Sequence, residues 1–198
     1  MLLTVGPRSE AAAATRQSLL DAAGALLDTG GPEAVTLREV GARTGVSRSA
    51  PYRHFADKEA LLTVLATNAL TELADTLEGL ATSDDPPERS LRAALLSLIA
   101  IGRTRPHLYR LMFTTPTGDP TAAVRAAGRT WDLFIAIVGR VVGPERADHY
   151  GALLLTNAHG IASLESSGHL VWDKWHITAE ELIETVISLL PPEQNGAS

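Results

Sequence analysis

Apolar residues recur every three or four positions along almost the whole chain of 198 residues, which gathers them on one face of an α-helix. The pattern predicts about nine helices, near residues 10–28, 36–44, 47–55, 57–79, 88–104, 107–114, 121–142, 145–167 and 178–190. Glycine and proline separate most of these segments, and no segment alternates apolar and polar residues as a strand would. The sequence therefore predicts an all-α fold, with a three-helix N-terminal head and a larger C-terminal helical bundle.

The stretch TLREVGARTGVSRSAPYRHFADKEALL, which starts at Thr36, has the punctuation of a helix-turn-helix. Thr36 and Glu39 form the pattern of a capping box, which marks the start of a helix. Gly45 can adopt a left-handed conformation and end that helix. Ser47 is a suitable N-cap for a second short helix that runs to Phe55. Two short helices joined by a tight turn are typical of a DNA-reading motif.

Charge favours the same interpretation. Residues 36–58 contain five Lys or Arg against two acidic residues, whereas the whole chain carries a net charge of −6. Residues 1–60 are balanced, with seven basic and seven acidic residues, so residues 61–198 carry the whole net charge. A helix-turn-helix shape with a merely solvated basic face is the alternative, but a local basic cluster on an acidic chain is typical of phosphate binding.

These residues resemble the DNA-binding half of the tetracycline-repressor family over roughly residues 15–70. The matching positions are Thr36, Gly45-Val46-Ser47, Tyr52, His54-Phe55, Lys58-Glu59 and Leu61. The resemblance implies that Arg48, Ser49 and Ala50 face base edges while neighbouring residues hold phosphates. The candidate DNA-binding residues are therefore Thr36, Arg38, Ser47, Arg48, Ser49, Ala50, Tyr52, His54 and Lys58.

Two residues depart from the family pattern. Pro51 stands where the family often has Leu, and as the fourth residue of the second helix it would remove a hydrogen bond to Ser47. Gly41 stands where the family favours Ala, which weakens the first motif helix by about 0.5–1 kcal/mol. Neither departure breaks the motif, and Arg48 is expected to carry most of the base discrimination.

Composition excludes several other classes of protein. The chain has no cysteine, no secretory leader pattern and no long apolar run, so we expect a cytoplasmic protein without disulfides or membrane contact. His149, His159 and His169 are ten residues apart without acidic partners at helical spacing, so neither a metal nor a cofactor is expected. No nucleophile elbow or phosphate loop is present. An enzyme that uses His159 or Ser163 remains the alternative.

For the second half, the resemblance implies a domain that binds a small effector and forms a dimer. We place the domains at residues 1–60 and 61–198, with one helix continuous through the boundary. His159-Gly160 within TNAHGIASLE, with Trp131 upstream, is similar to the C-terminal domain of one subgroup. The candidate effector-binding residues are Tyr109, Met112, Phe113, Trp131, Phe134 and His159. Each of these aromatic or polar side chains could instead be ordinary core.

Helices 145–167 and 178–190 each present an apolar stripe that could pair with a second copy across a two-fold axis. The stripes consist of Leu153, Leu154, Ala158, Ile161, Ala162 and Leu164, and of Leu182, Ile183, Val186, Leu189 and Leu190. They could also pack within one chain. The leading hypothesis is a homodimeric repressor that a small, largely apolar effector releases from a palindromic double-stranded DNA operator. The alternative is an activator or an effector-independent regulator with the same head.

Overall fold

The computed structural model describes residues 7–115 and 120–191, with side chains from residue 9. Within these ranges the chain is all-α, as predicted, with ten α-helices, one 3-10 turn at Pro144–Arg146 and no strand. The helices are α1 Pro7–Ala34, α2 Leu37–Thr44, α3 Ala50–His54, α4 Lys58–Ala81, α5 Pro87–Thr104, α6 Pro106–Met112, α7 Thr121–Val142, α8 Ala147–Ser166, α9 Trp172–Trp175 and α10 Ala179–Ser188. Most of the loop expected at 115–120 lies outside the described residues.

Helix α1 is longer than the predicted 10–28. It begins at Pro7, whose fixed φ and missing N–H suit the first helical position. Gly31 breaks the helical geometry with φ 69° and ψ −173°, as the Gly-Gly-Pro pattern indicated. The chain then makes one more turn to Ala34 before α2 begins. A second unpredicted feature, the short helix α9, occupies part of the expected loop before α10.

The start and the end of α2, the first helix of the motif, agree with the prediction. The side chain of Thr36 accepts a hydrogen bond of 3.1 Å from the Glu39 backbone N–H. Gly45 ends α2 in the left-handed conformation, with φ 68°.

The start of α3 differs from the prediction. The helix begins at Ala50, so Ser47 is not its N-cap, and Ser49 in that position makes no side-chain capping bond. Ser47 instead accepts a backbone hydrogen bond of 2.9 Å from Ala50 in the preceding turn. Pro51 is consequently near the start of the helix, where backbone N–H groups have no helical partner. The predicted loss of a hydrogen bond at Pro51 is therefore wrong.

Helix α4 joins the head, formed by α1, α2 and α3, to the rest of the molecule. Asp57 caps its start by accepting a hydrogen bond of 2.7 Å from the Ala60 N–H. Its predicted inner face is buried, including Leu61 against the head and Leu73 and Leu77 further along. The helix passes residue 61 without a break and packs most extensively on α7. The domain boundary at that residue stays a prediction.

The body, formed by α4 to α10, is a helical bundle around α5, α7 and α8. Its fully buried side chains include Leu91, Leu95, Ile99, Ile137, Leu154 and Ile183. Gly102 of α5 lies so close to α8 that an added Cβ would meet the Ala162 Cβ at 2.8 Å. Val124 near the start of α7 is 62% exposed although it is apolar, because Ala123 and Ala126 form the buried face there.

Arginines hold the ends of the bundle together. Arg140 donates four hydrogen bonds to backbone carbonyls at and beyond the end of α4, among them Leu80 and Ser83. These bonds tie α7 to the end of α4 and to the loop that follows it. Near the end of α5, Arg103 pairs with Glu165 of α8 and Glu180 of α10, at 2.9 and 3.2 Å.

Candidate DNA-binding surface and effector cavity

The helix-turn-helix exposes a basic surface formed by α2 and α3. Arg38, Arg48 and Tyr52 line one hollow between the two helices. Tyr52 is 60% exposed although its ring is large and partly apolar. Thr36 and Ser49 are also exposed, while His54 and Lys58 are half-buried. The structure thus brings three of the predicted DNA-binding residues, Arg38, Arg48 and Tyr52, around one hollow.

Ala50 is the exception among the residues expected to face bases. It is only 3% exposed. The position opens the short helix α3, where this small residue packs inward rather than outward. Of the three residues expected to face bases, only Arg48 and Ser49 are exposed.

The positive charges of this surface are not neutralised by neighbouring acids. Across residues 7–115 and 120–191, Arg38, Arg48, Arg53 and Lys58 form no ion pair. Arg43 alone in the motif faces a carboxylate, that of Glu39 at 4.0 Å on the exposed surface of α2. Such a surface can attract and hold phosphate groups, because exposed basic side chains replace the counterions of DNA.

A hollow lies inside the body, and we call it the inner cavity. It has a volume of about 220 Å³. It is lined by Leu70, Leu73 and Leu77 of α4, Ala94, Leu95 and Leu98 of α5, Met112, Phe113, Ala127, Thr130, Trp131, Phe134 and Leu155. Thr130 carries the only hydroxyl group among these residues, and it donates to the carbonyl oxygens of Leu70 and Ala126. The cavity therefore suits an apolar molecule.

Four of the six predicted effector-binding residues line the inner cavity: Met112, Phe113, Trp131 and Phe134. Tyr109 and His159 do not line it. Their side chains join each other instead, with 2.9 Å between the phenol oxygen and Nδ1 of the imidazole. The ring of Phe113 packs edge-on against His159, with centroids 4.6 Å apart. Burial raises the pKa of Tyr109 to about 12, so this phenol stays protonated at neutral pH.

Sequence reasoning missed the α4 and α5 walls of the inner cavity. Leu73, Leu77 and Leu98 belong to the apolar periods of α4 and α5, and they are buried. The apolar period shows only that these side chains point inward. It does not show whether the space opposite them is filled, because that depends on how α7 and α8 pack.

Helix α6 lies between the inner cavity and the head. Its C-terminal residue Met112 lines the cavity. At its other end, the Arg105 Nε is 3.0 Å from a carboxylate oxygen of Asp28 in α1. His107 sits so close to Gly31 of α1 that a Cβ there would meet its imidazole ring at about 3 Å. Helix α6 is therefore in direct contact with α1 of the head through Arg105 and His107.

Neither a metal site nor a membrane span is present in the described residues. They contain no cluster of three or more histidine, aspartate or glutamate residues arranged to hold a metal ion. None of their helices combines the length and apolar character needed to cross a membrane.

Comparison with known families separates the two halves of the chain. Residues 19–65 match the profile described as bacterial regulatory proteins, tetR family. Residues 91–190, just over half of the chain, match the tetracyclin repressor-like C-terminal domain. The chain belongs to the tetracycline-repressor family. It is therefore a DNA-binding transcriptional regulator of the TetR type and not an enzyme.

Solved structures share the TetR fold with this chain. A protein of unknown function from Rhodococcus sp. RHA1 is 26% identical, with 88% of this chain and 92% of that chain covered and a TM-score of 0.76. The TetR family regulator PfmR from Thermus thermophilus is 20% identical, covering 86% and 95%, with a TM-score of 0.62. A TetR family regulator from Marinobacter aquaeolei VT8 is 20% identical, covering 90% and 95%, with a TM-score of 0.64. No curated protein matches the chain.

Proposed function

We propose that this TetR-family regulator acts as a homodimeric repressor in the cytoplasm, where it binds a palindromic operator and leaves it when a small, largely apolar effector binds. The observation that carries the proposal is the exposed basic surface of α2, α3 and the turn between them, where Arg38, Arg48 and Arg53 have no ion-pair partner in the described part of the chain. It contrasts with the net charge of −6 carried by residues 61–198. Only the head is suited to face DNA.

In this proposal Arg48 and Ser49 contact base edges in the major groove. An arginine can donate two hydrogen bonds to guanine, which is the commonest specific contact. Phosphate contacts are assigned to Thr36, Arg38, Tyr52, His54 and Lys58, which supply hydroxyl, guanidinium, imidazole and ammonium groups around the base-facing residues. Ser47 is exposed beside them and can add a further hydroxyl contact.

The proposed dimer forms through α8 and α10. Beyond its first turn, where Asp148 and His149 are exposed, the outward face of α8 consists of small or apolar side chains: Ala152, Leu153, Thr156, Gly160, Ser163 and Leu164. Leu153 and Leu164 are 46% and 47% exposed, and Leu189 after α10 is 77% exposed. Other apolar positions predicted in these stripes, such as Leu154 and Ile183, are buried within one chain. A partner copy would cover the exposed remainder by two-fold symmetry.

Effector response is assigned to the inner cavity because α4 and α6 each contact both the cavity and the head. A ligand that binds better when these helices shift would favour a state in which the two heads are wrongly spaced for the operator. By linkage, operator DNA then weakens effector binding by the same factor. A regulator that ignores effectors, or one that activates transcription, would share the head but lack this coupling.

The proposal is tested by fluorescence anisotropy with DNA from upstream of the protein's own gene. We expect sequence-specific binding that weakens steeply as salt rises, because basic residues displace phosphate counterions. Arg89 is a highly exposed arginine of α5 outside the head. Arg89→Ala should therefore leave DNA binding unchanged, which makes it the control for arginine substitutions in the head. Binding that is insensitive to salt and indifferent to sequence would refute the assigned surface. A DNA affinity unchanged by every compound that stabilises the protein would support the effector-independent alternative.

A further inference from the structure

A second hollow, which we call the outer groove, adjoins the inner cavity. It has a volume of about 260 Å³ and lies between α4, α6 and the start of α7. Its lining residues are Glu59, Leu62, Thr63, Ala66, Leu70, Leu111, Met112, Thr114, Thr115, Ala123, Val124 and Ala127. Three of them, Leu70, Met112 and Ala127, also line the inner cavity. The two hollows therefore adjoin each other along these three residues.

The inner cavity alone is smaller than most ligand sites, which measure roughly 300–1,000 Å³. The two hollows together fall within that range. Both follow the same face of α4, the outer groove from Glu59 to Leu70 and the inner cavity from Leu70 to Leu77. At a rise of 1.5 Å per residue this path is roughly 27 Å long. Its shape suits an elongated molecule better than a compact one.

Polarity changes along this path. The outer groove is lined by Thr63, Thr114 and Thr115, of which Thr114 donates its hydroxyl to the Arg110 carbonyl, and by apolar residues towards Leu70. The inner cavity presents a single hydroxyl, that of Thr130, which already donates to backbone carbonyls. A molecule that fits both hollows has a polar end near the head and an apolar end inside the body.

Glu59 gives the polar end its charge. Among the described residues that line either hollow, it is the only charged one. It is exposed, and in the described part of the chain no basic residue pairs with it. A carboxylate beside the outer groove, whose other described lining residues are uncharged, attracts cations and repels anions.

We propose that the effector is an elongated amphiphile whose apolar tail occupies the inner cavity and whose cationic end reaches Glu59 through the outer groove. This inference rests on the proposed effector response and specifies its ligand class. The bound molecule would lie against α4 from the first turn of that helix, next to Lys58, to the middle of the body. Occupancy would therefore act on the residue assigned to a phosphate contact as well as on the packing of α4 against α6 and α7.

The test compares three probes with the same ten-carbon tail: decyltrimethylammonium, 1-decanol and decanoate. Binding to the full-length protein is measured by isothermal titration calorimetry at low salt and below micelle-forming concentrations. We expect decyltrimethylammonium to bind most tightly and decanoate most weakly. Glu59→Gln should weaken binding of the ammonium compound by about two- to fivefold, the range of exposed ion pairs, and leave that of decanol unchanged.

Two control variants separate the parts of the site. Glu72→Gln removes an exposed carboxylate of α4 that lines neither hollow, so it should change no affinity. Ala94→Leu fills part of the inner cavity from α5 and should weaken all three probes together. Thermal unfolding of each variant confirms that it is folded.

The outcomes distinguish this inference from the proposed function. If decanol and the ammonium compound bind equally and Glu59→Gln changes neither, the cationic end is refuted while an apolar effector site stands. Tighter binding of decanoate than of decyltrimethylammonium would likewise refute the cationic end and leave an apolar effector site standing. If no decyl compound binds, the inference fails together with the apolar effector site, and the DNA-binding head is unaffected. Binding that Ala94→Leu leaves unchanged would place the tail elsewhere and overturn the inference.

Discussion

Gly41 and Pro51, the two departures from the family pattern in the head, contact each other. A Cβ added to Gly41 would lie 2.9 Å from the Pro51 Cγ, closer than real Cβ contacts come. Both residues are buried, at the crossing of α2 and α3. The glycine is therefore explained by packing: the rigid proline ring occupies the space that an alanine side chain would need.

Gly41→Ala alone should lower the free energy of unfolding by about 1 kcal/mol. Overpacking against a rigid ring costs about 1–3 kcal/mol, and this exceeds the gain in helix propensity of about 1 kcal/mol. In a Pro51→Ala background the clash is absent, so the same change should be neutral or stabilising. Urea unfolding of the four proteins in the double-mutant cycle measures the difference. Gly128→Ala in α7, where a Cβ meets nothing within 4 Å, is the control and should stabilise. Additive effects in the cycle would contradict the packing explanation.

Two residues of the DNA-binding surface should respond differently to mutation. Arg48→Ala should relax base preference at one operator position and cost roughly 1–3 kcal/mol there, because it removes a base contact. Lys58→Ala should weaken binding to all sequences and reduce the salt slope by about 1, because it removes a phosphate contact. Anisotropy titrations against an operator and its single-base variants at several salt concentrations separate the two. If neither variant changes operator affinity, the assigned docking is wrong.

Among the helices, α6, like α4, contacts both the inner cavity and the head. It is only seven residues long, yet it touches the inner cavity at Met112 and is tied to α1 through the ion pair between Arg105 and Asp28. The side chains of both partners are at least a third exposed, so the pair itself adds little stability. Its position matters more than its strength.

Asp28→Asn should therefore reduce the effector's influence on DNA binding without much change in operator affinity. Removing the ion pair lets α6 move with less effect on α1, so the ratio of operator affinities with and without effector should fall severalfold. Anisotropy titrations with and without a stabilising ligand measure this ratio. Asp21→Asn, on the same helix but bonded only to Gln17, is the matched control. A ratio that is identical in the wild type and Asp28→Asn would exclude this path.

Helix α10 depends on a reciprocal capping box. The Thr178 hydroxyl accepts from the Glu181 N–H at 3.1 Å, and the Glu181 carboxylate accepts from the Thr178 N–H at 2.8 Å. Hydrogen bonds from the Thr178 backbone N–H and hydroxyl lower the pKa of Glu181. The stabilisation of the folded state by the ionised Glu181 carboxylate is therefore fully present above the ordinary carboxyl pKa. It is lost as pH falls through the lowered pKa of Glu181 in the folded protein.

Thr178→Ala should destabilise the protein by about 1 kcal/mol at neutral pH, because it removes the N-cap. The difference from the wild type should shrink in acid, once Glu181 is protonated and the wild type has lost part of the same interaction. Thermal unfolding followed by circular dichroism at about pH 7 and about pH 3 checks both statements. A difference that grows on acidification would contradict the assigned role of the carboxylate.

At the scale of the whole molecule, the head and the body differ in charge and in exposed apolar surface. The head exposes its basic residues, while the outward face of α8 in the acidic body is small or apolar beyond Asp148 in its first turn. Glu165 on α8 and Glu180 and Glu184 on α10 are held by arginines of α5. Charge is thus drawn away from the surface that a second copy would cover.

Leu153→Arg should dissociate the proposed dimer, since it would place an unpaired charge in an apolar interface. Sedimentation velocity should show a shift from dimer to monomer, and operator affinity should fall because each head then binds alone. Val124→Arg replaces another exposed apolar residue, which is on α7, and should leave the dimer intact. A monomeric wild type, or a dimer that survives Leu153→Arg, would place the interface elsewhere.

Features that depend on neighbours in the chain could be predicted from the sequence, because their causes are local. Helix periodicity and caps located α4, α5 and α7 within a few residues, and the left-handed Gly45 ended α2 as expected. The start of α3 was misplaced although it is also local. Ser47 and Ser49 are both suitable cap residues, so the sequence did not distinguish between them, and the helix begins at Ala50.

The sequence alone determined the all-α class, the basic motif on an acidic chain and the family to which the chain belongs. Only the tertiary structure decided that Ala50 is buried, that Tyr109 and His159 pair beside the cavity rather than in it, and that an inner cavity meets an outer groove near Glu59. The reason is physical. Periodicity specifies which side of a helix avoids water, but the space between helices depends on side chains that are distant in sequence.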